Sequence, residues 1–94
     1  MPEPLPPLSF EWDPGNRGKN WERHRVSDGE CEEVFTQRPL LVADDASHSA
    51  EESRHLALGR TRTGRRLLVS FTVRQGRVRV ISARDMSRNE REVL

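Results

Sequence analysis

The sequence contains one cysteine, Cys31, and one lysine, Lys19, among its 94 residues. A single cysteine cannot form an internal disulfide and cannot alone build a zinc site, so we expect a protein of the reducing cytoplasm. No apolar run approaches the ~20 residues that a membrane-spanning helix needs, so no membrane association is expected. The Pro-rich residues 1–9 lack the basic and apolar regions of a secretory signal. We expect a flexible leader there, followed by a single domain over residues 10–94.

Common nucleotide and metal motifs are also missing. The sequence contains no Walker loop, no Rossmann fingerprint and no HExxH motif. We therefore expect a function that needs no cofactor and no bound metal.

The net charge of +1 hides two halves of opposite sign. The first 53 residues carry five basic and twelve acidic side chains, whereas residues 54–94 carry eleven arginines and only three acids. A guanidinium presents a flat fork of donors that matches phosphate oxygens. The basic half therefore favours a phosphate-bearing partner, with a solvated Arg-rich surface as the alternative.

The first quarter of the chain predicts a strand and a helix. Residues 8–12 form a short strand candidate, which a turn at residues 13–15 ends. Asn16 can then cap a helix that runs to about His24. The spacing places Trp21 on the buried side of that helix.

A second helix is predicted over residues 28–36. Ser27 and Glu30 have the spacing of a capping box, in which each side chain binds the other residue's backbone N–H. The apolar positions of this helix form one stripe, made of Cys31, Val34 and Phe35.

The remaining residues predict strands and a closing helix. Four strands are expected over residues 40–43, 55–60, 67–73 and 77–84. Gln75-Gly76 is a tight-turn dipeptide, and Ser87 with Glu90 makes another capping box. The predicted order is β-α-α, a mostly antiparallel four-strand meander, and a C-terminal helix. This is an α+β fold in which one sheet face packs against the two early helices.

An ordered set of short segments carries a resemblance to a known family. The segments are FEWDP (10–14), Asn16, Lys19, His24, Val26-Ser27, residues 33–35, His48, Glu51-Glu52, Arg54, residues 58–60, Leu68-Val69, residues 79–84, Arg88 and Glu90-Arg91. In this order and at these intervals they resemble the BrnT toxins of bacterial type II toxin–antitoxin pairs. The resemblance covers residues 10 to 92, nearly the whole chain.

The resemblance implies a fold, an activity and a partner. The fold would be RelE-like, and the activity a metal-independent ribonuclease that blocks translation. The partner would be a DNA-binding BrnA-type antitoxin, and operator DNA would be contacted only through that antitoxin. A homodimer or a two-plus-two assembly is also implied. The chain departs from the family pattern at Arg25, which takes the place of a glycine, and at Asp28, which takes the place of an aromatic residue.

A metal-independent ribonuclease needs groups that move protons and groups that stabilise a crowded phosphorane. We expect four arginines to converge into one anion pocket with catalytic roles: Arg54, Arg60, Arg84 and Arg88. Arg79 and Arg91 are further candidates for phosphate contacts. The alternative for each arginine is a salt bridge to the acidic first half.

Three histidines and three other residues are candidates for the remaining roles. An imidazole suits general acid–base catalysis, and His24 is the candidate catalytic residue, with packing at a helix end as the alternative. Lys19, His48 and Glu52 are candidates for RNA or phosphate binding, with exposed polar surface as the alternative. Glu51 or Glu52 could also act as a base or orient Arg54, whereas His55 has no support from a motif.

Two different functions remain open beside the ribonuclease. The chain could be a binding module that occupies nucleic acid without cutting it, or a purely structural partner protein. Trp12 and Trp21 could stack on RNA bases, but packing residues are the commoner use of tryptophan in a small core. Cys31 is expected to be a core residue.

Overall fold

The computed structural model describes residues 8–45 and 52–94 of the chain. Most of the predicted leader, and the candidates His48 and Glu51, lie outside the described residues. Within these ranges no helix has both the length and the apolar character required to cross a membrane.

Four strands form one antiparallel sheet in the order of the sequence, so the predicted meander is confirmed. The strands are β1 (Leu41–Asp44), β2 (His55–Arg60), β3 (Arg66–Arg74) and β4 (Arg77–Asp85). Gln75 and Gly76 make the two-residue turn between β3 and β4, with φ angles of 52° and 75°. Two successive positive φ angles match the twist of a hairpin, which explains the glycine at this point.

Three short helices accompany the sheet: α1 (Lys19–His24), α2 (Asp28–Val34) and α3 (Arg88–Arg91). Both predicted capping boxes are confirmed. Ser27 accepts the backbone N–H of Glu30 while the Glu30 carboxylate accepts that of Ser27, and Ser87 pairs with Glu90 in the same way. These reciprocal bonds satisfy backbone donors that a helix start otherwise leaves free.

The core lies between α2 and the sheet. Cys31 and Val34 of α2 are completely buried, and they belong to one cluster with Leu67 and Val69 of β3. Burial raises the pKa of the Cys31 thiol to about 12, so the thiol stays protonated and behaves as a small apolar core residue. The predicted apolar stripe of the second helix is confirmed.

The predicted strand over residues 8–12 is wrong except at one position. Phe10 makes an isolated parallel bridge to Val78 of β4. The backbone N–H of Glu11 donates to the Val78 carbonyl at 2.8 Å, and Val78 donates to the Ser9 carbonyl at 2.9 Å. The pairing cannot continue because the chain turns away at Asp13, whose carbonyl accepts the backbone N–H of Asn16.

Asn16 does not cap the first helix, contrary to the prediction. Gly18 is the N-cap and contributes no side-chain hydrogen bond. The Asn16 side chain is instead buried, and its amide donates to the carbonyls of Glu11 at 3.0 Å and Val80 at 3.1 Å. A residue type that suits a cap therefore serves here to attach the N-terminal segment to β4.

Trp21 does not lie on the buried side of α1, contrary to the prediction. Its side chain is 49% exposed, with the guanidinium of Arg25 5.6 Å above the ring, whereas Asn20 is only 4% exposed. The Asn20 side-chain oxygen accepts the backbone N–H of Ala83 at 3.0 Å. An amide can satisfy the open edge of β4 and a tryptophan side chain cannot, so polarity rather than hydrophobicity orients this helix.

Arg25 ends α1 in a left-handed conformation, with φ 55° and ψ 38°. This conformation favours glycine at the end of a helix because it has no Cβ. The position is the one at which the resemblance places a glycine, so the backbone gives a reason for that glycine and none for the arginine that replaces it here.

Gly59 of β2 is predicted to tolerate no side chain. A Cβ added there would lie 3.0 Å from Val34 Cγ1 and 3.3 Å from the Val34 carbonyl oxygen. We expect Gly59→Ala to lower the free energy of unfolding by about 1–3 kcal/mol, measured by urea denaturation. The control is Gly29→Ala in α2, where the nearest atom is 3.9 Å away. That variant should be unchanged or stabilised by up to about 1 kcal/mol. Equal losses in the two variants would contradict this account.

Candidate functional site

One face of the sheet, here called the outer face, is turned away from α2. A Cβ at Gly59 would point at Val34 of α2, so the side chains of the neighbouring residues of β2 point the other way. The register with β3 and β4 then places a set of arginines on the outer face: Arg60, Arg66, Arg74, Arg77, Arg79 and Arg84.

These arginines divide between the two ends of the strands. Arg74, Arg77 and Arg79 lie at the β3–β4 end, together with Arg54, which precedes β2. Arg60, Arg66 and Arg84 lie at the β2–β3 end, where α3 follows β4. Six residues of extended chain separate Arg54 from Arg60, or about 20 Å. The expectation that Arg54 converges with Arg60, Arg84 and Arg88 is therefore wrong, because β2 carries its two ends apart.

Carboxylates engage Arg74 and Arg79 at the β3–β4 end, whereas Arg77 donates to the backbone carbonyl of Phe10 at 2.6 Å. Arg79 donates to Glu11 and to Asp13, each at 2.7 Å, and Arg74 donates to Glu52 at 2.7 Å. The hydrogen bond from Arg79 lowers the pKa of Asp13, and the one from Arg74 lowers the pKa of Glu52. Arg79 and Glu52 thus hold neighbouring segments together, as the salt-bridge alternative predicted.

Arg65 connects four segments near the β2–β3 end. Its guanidinium donates to Asp85 at 2.7 Å, to Glu30 at 3.2 Å and to the backbone carbonyls of His24 and Arg25 at 3.1 and 2.7 Å. These bonds raise the pKa of Arg65, led by the bond to Asp85. Sequence reasoning did not single out this residue, because its partners lie 20 to 41 positions away and no local motif marks them.

Arg84 is held by the closing helix. Its two terminal nitrogens each donate to one carboxylate oxygen of Glu90, both at 2.8 Å. This bidentate bond, followed by smaller contributions from Ser87, lowers the pKa of Glu90 to about 2. Arg84 therefore has a carboxylate partner, although that partner comes from the basic half of the chain.

Four arginines at the same end have no such partner. Among the described residues, the side chains of Arg60, Arg66, Arg88 and Arg91 make no hydrogen bond and no ion pair. The Nε atom of Arg60 is buried and lacks an acceptor there. Such a donor is unusual, because buried donors nearly always find an acceptor. Since no carboxylate pairs with these four guanidiniums, this end of the sheet carries positive charge that the described residues do not neutralise.

A cleft between α1 and the edge of β4 brings two of the predicted residues together. Its volume is about 440 Å³, and it is lined by Lys19, Asn20, Glu22, Arg23, His24, Ile81 and Ser82. The Asn20 bond to Ala83 sets the position of α1, and an irregularity in the β3–β4 register lies beside Ile81. Lys19 and His24 therefore face one space, together with Arg23, which sequence reasoning did not select.

The side chains of this cleft can perform phosphodiester chemistry. An imidazole can take up and release a proton, while an ammonium and a guanidinium can stabilise negative charge on phosphate oxygens. His24, Lys19 and Arg23 are all exposed, so a ligand can reach them. His24 is also close enough to Asp85 for its charge to lower the pKa of that carboxyl, after the larger effect of Arg65.

Other candidate residues have structural roles. Trp12 donates its ring N–H to Glu32 at 2.7 Å and packs against the core. His55 binds Asp44 at 2.9 Å and lies 5.3 Å from the ring of Phe71. Over residues 8–45 and 52–94, no three His, Cys, Asp or Glu side chains are grouped as a metal site would require.

The Arg84–Glu90 pair predicts a change of stability with pH. The pKa of Glu90 is lowered from 4.5 to about 2 in the folded chain, so its contribution is complete above pH 4.5 and is lost as the pH falls toward 2. We expect Glu90→Gln, which can keep the capping box, to be less stable than the parent at neutral pH. The difference should vanish as the pH falls through that interval, as measured by urea denaturation. Glu92→Gln, at the C-cap of the same helix, is the control. A pH-independent difference for Glu90→Gln would contradict the assignment.

The sequence was also compared with known proteins. The BrnT toxin family model, described as the ribonuclease toxin BrnT of type II toxin–antitoxin systems, matches residues 12–90. A search of curated proteins finds no match. Because the family match spans most of the 94 residues, the chain belongs to the BrnT family of ribonuclease toxins of type II toxin–antitoxin systems.

Proposed function

We propose that this toxin is a metal-independent endoribonuclease that blocks translation in the cytoplasm. One observation carries the proposal: His24, Lys19 and Arg23 line a single exposed cleft beside the edge of β4. These side chains supply proton transfer and anion binding at one place, as RNA cleavage without a metal requires.

The reaction uses the 2′-hydroxyl of the RNA as nucleophile. The 2′-oxygen attacks the adjacent phosphorus, the bond from phosphorus to the 5′-oxygen breaks, and a 2′,3′-cyclic phosphate and a 5′-hydroxyl result. His24 takes one of the two proton transfers: it either accepts the 2′-hydroxyl proton while water protonates the leaving 5′-oxygen, or it protonates that oxygen while water accepts the 2′-hydroxyl proton. Lys19 and Arg23 stabilise the charge on the non-bridging oxygens of the phosphorane.

The arginines divide into two classes in this proposal. Arg60, Arg88 and Arg91 remain candidates for contacts to RNA, because their charge is unpaired within the described residues. Arg84 can contact a phosphate only if it exchanges Glu90 for the ligand. Arg54 lies at the other end of β2 from Arg60. Arg79 is two positions from Ile81 of the cleft, but it can contact a phosphate only if the ligand replaces Glu11 and Asp13.

The fold and the partner are further parts of the proposal. We assign the arrangement of helices and sheet to the RelE-like type. A BrnA-type antitoxin would silence the toxin by covering the α1–β4 cleft and the unpaired arginines, and it would be the component that contacts operator DNA. A toxin homodimer or a two-plus-two complex is the assembly that we propose.

A second function is favoured by the carboxylate pairs. Arg79 and Arg84 are both engaged by acids, which leaves fewer guanidiniums for transition-state stabilisation than the sequence predicted. A catalytically inactive module that binds nucleic acid or protein would retain the same cleft. RNA binding without product would support this reading over the ribonuclease.

The catalytic proposal predicts RNA cleavage that persists in EDTA. The purified chain should cut RNA at neutral pH with or without the chelator, and His24→Ala should lower the rate by about 10²-fold or more. His55→Asn is the control, because His55 lies outside the cleft and binds Asp44. Intact RNA after incubation with the folded parent chain would reject the catalytic claim, and equal rates for both variants would remove His24 from the mechanism.

The partner proposal predicts loss of cleavage on complex formation. Titration of the toxin with a BrnA-type antitoxin encoded beside it should abolish both RNA cleavage and RNA binding at a stoichiometric ratio. Because the covered surface is cationic, raising the salt concentration should weaken the complex. A stable complex that cuts RNA at the rate of the free toxin would show that the antitoxin binds elsewhere.

A further inference from the structure

We propose that Arg66 and Arg91 form a second phosphate subsite, which holds an RNA backbone phosphate other than the one that is cut. This inference rests on the proposed function of the α1–β4 cleft. It assigns a role to Arg66, which no motif in the sequence marks.

The two arginines line a separate cleft at the β2–β3 end of the sheet. Its volume is about 320 Å³, and its lining is Gly64, Arg66, Asp85, Met86 and Arg91. Arg66 begins β3 and Arg91 ends α3, so a strand and a helix place two guanidiniums on the sides of one depression. Both side chains are exposed, and neither has a partner among the described residues.

The charges around this cleft favour an anion. Arg60 lies directly opposite Arg66 in the sheet register, on the same face, and adds a third uncompensated charge. The carboxylate of Asp85 lines the cleft but already accepts two hydrogen bonds from Arg65. Glu90 of α3 is likewise engaged, by Arg84. Glu92, the other acid of the closing segment, is exposed and does not pair with either arginine in the described structure.

The lining also favours a nucleic-acid backbone over a protein segment. Docking sites for proteins depend on apolar pockets for large side chains, whereas the one apolar side chain here, Met86, is only 6% exposed. Two guanidiniums at a polar depression match a phosphodiester, which can accept a bidentate pair of hydrogen bonds.

The position relative to the first cleft identifies the phosphate as one other than the scissile one. Arg66 lies on β3 and α1 lies beyond the edge of β4, so β4 separates the two clefts. Ser82 of the first cleft and Asp85 of the second are also three positions apart along β4, or about 10 Å, so one phosphate group cannot meet both sites. An RNA strand that crosses the sheet would place two different phosphates in the two clefts.

Binding of a non-cleavable RNA tests the subsite directly. The probes are a fluorescent 2′-O-methyl 12-mer of mixed sequence and the corresponding dinucleotide, which has a single phosphodiester. Anisotropy gives the affinity of each at several salt concentrations. The variants are Arg66→Ala, Arg91→Ala and Arg66→Lys. Arg38→Ala is the charge-matched control, since Arg38 is exposed and, among the described residues, its side chain bonds only to the Gln37 carbonyl.

The subsite predicts a loss of RNA affinity that depends on the length of the RNA. Arg66→Ala and Arg91→Ala should each weaken 12-mer binding by about tenfold at low salt, because a charge-assisted bond to phosphate is lost. The slope of log affinity against log salt should fall by about 0.7 for each, the value for one contact on a single strand. Arg66→Lys should keep the slope while losing part of the affinity. The dinucleotide should bind all variants alike, and Arg38→Ala should match the parent.

Each other outcome overturns the subsite. An equal effect of Arg66→Ala and Arg38→Ala would show only a general charge effect. An equal loss for the 12-mer and the dinucleotide would place Arg66 at the scissile phosphate instead. Circular dichroism and thermal melts check that each variant is folded.

The result is distinguishable from failure of the ribonuclease proposal. A 2′-O-methyl RNA has no free 2′-hydroxyl, so its binding is measured without any contribution from cleavage. Suppose that Arg66→Ala loses affinity for the 12-mer but not for the dinucleotide, while the parent chain never cuts RNA. That result would keep the subsite and reject the ribonuclease. Cleavage of RNA by the parent chain, with no loss of 12-mer affinity in Arg66→Ala, would keep the ribonuclease and reject the subsite.

Discussion

The hydrogen bonds of Arg65 hold the candidate catalytic cleft in place. One guanidinium binds the carboxylates of Asp85 on β4 and Glu30 on α2, and also the backbone carbonyls of His24 and Arg25 at the end of α1. A six-residue helix is too short to be stable alone, so its position must come from tertiary contacts. Because Arg65 binds the carbonyl of His24 itself, the orientation of the candidate acid–base residue depends directly on this ion-pair network. The bond from Asn20 to the edge of β4 holds the other end of the same helix.

The second organising feature is the division of arginines into paired and unpaired groups. Paired guanidiniums such as Arg79 are bound to carboxylates of the N-terminal half, and they attach that half to the sheet. Unpaired ones such as Arg60 and Arg66 lie together at one end of the outer face. The charge segregation of the sequence thus serves two purposes, since part of the positive charge stabilises the fold and the rest is available to a ligand. A count of arginines cannot separate these purposes, whereas the presence or absence of a carboxylate partner does.

Local patterns in the sequence were enough to predict much of the fold. The capping boxes that begin at Ser27 and Ser87 are confirmed because their hydrogen bonds join residues three positions apart. The hairpin at Gln75 is confirmed because the turn conformation is a property of two adjacent residues. The buried positions of β3 follow alternation from Leu67 to Phe71, but past the irregularity at Ser70/Phe71 the pattern fails, since Thr72 is buried and Val73 is 49% exposed. The prediction for Trp21 is wrong because helix orientation depends on what α1 packs against, and the open edge of β4 selects the amide of Asn20.

The sequence by itself determined the order of the elements from the first helix onward, the α+β class, most of the alternation of the long strands, and His24 and Lys19 as candidate site residues. Only the tertiary structure decided which side of α1 is buried and which arginines keep a free charge. The reason is physical: helix caps, turns and strand alternation depend on residues within a few positions. An ion pair such as Arg79–Asp13 joins side chains 66 positions apart, and its formation depends on how the whole chain folds.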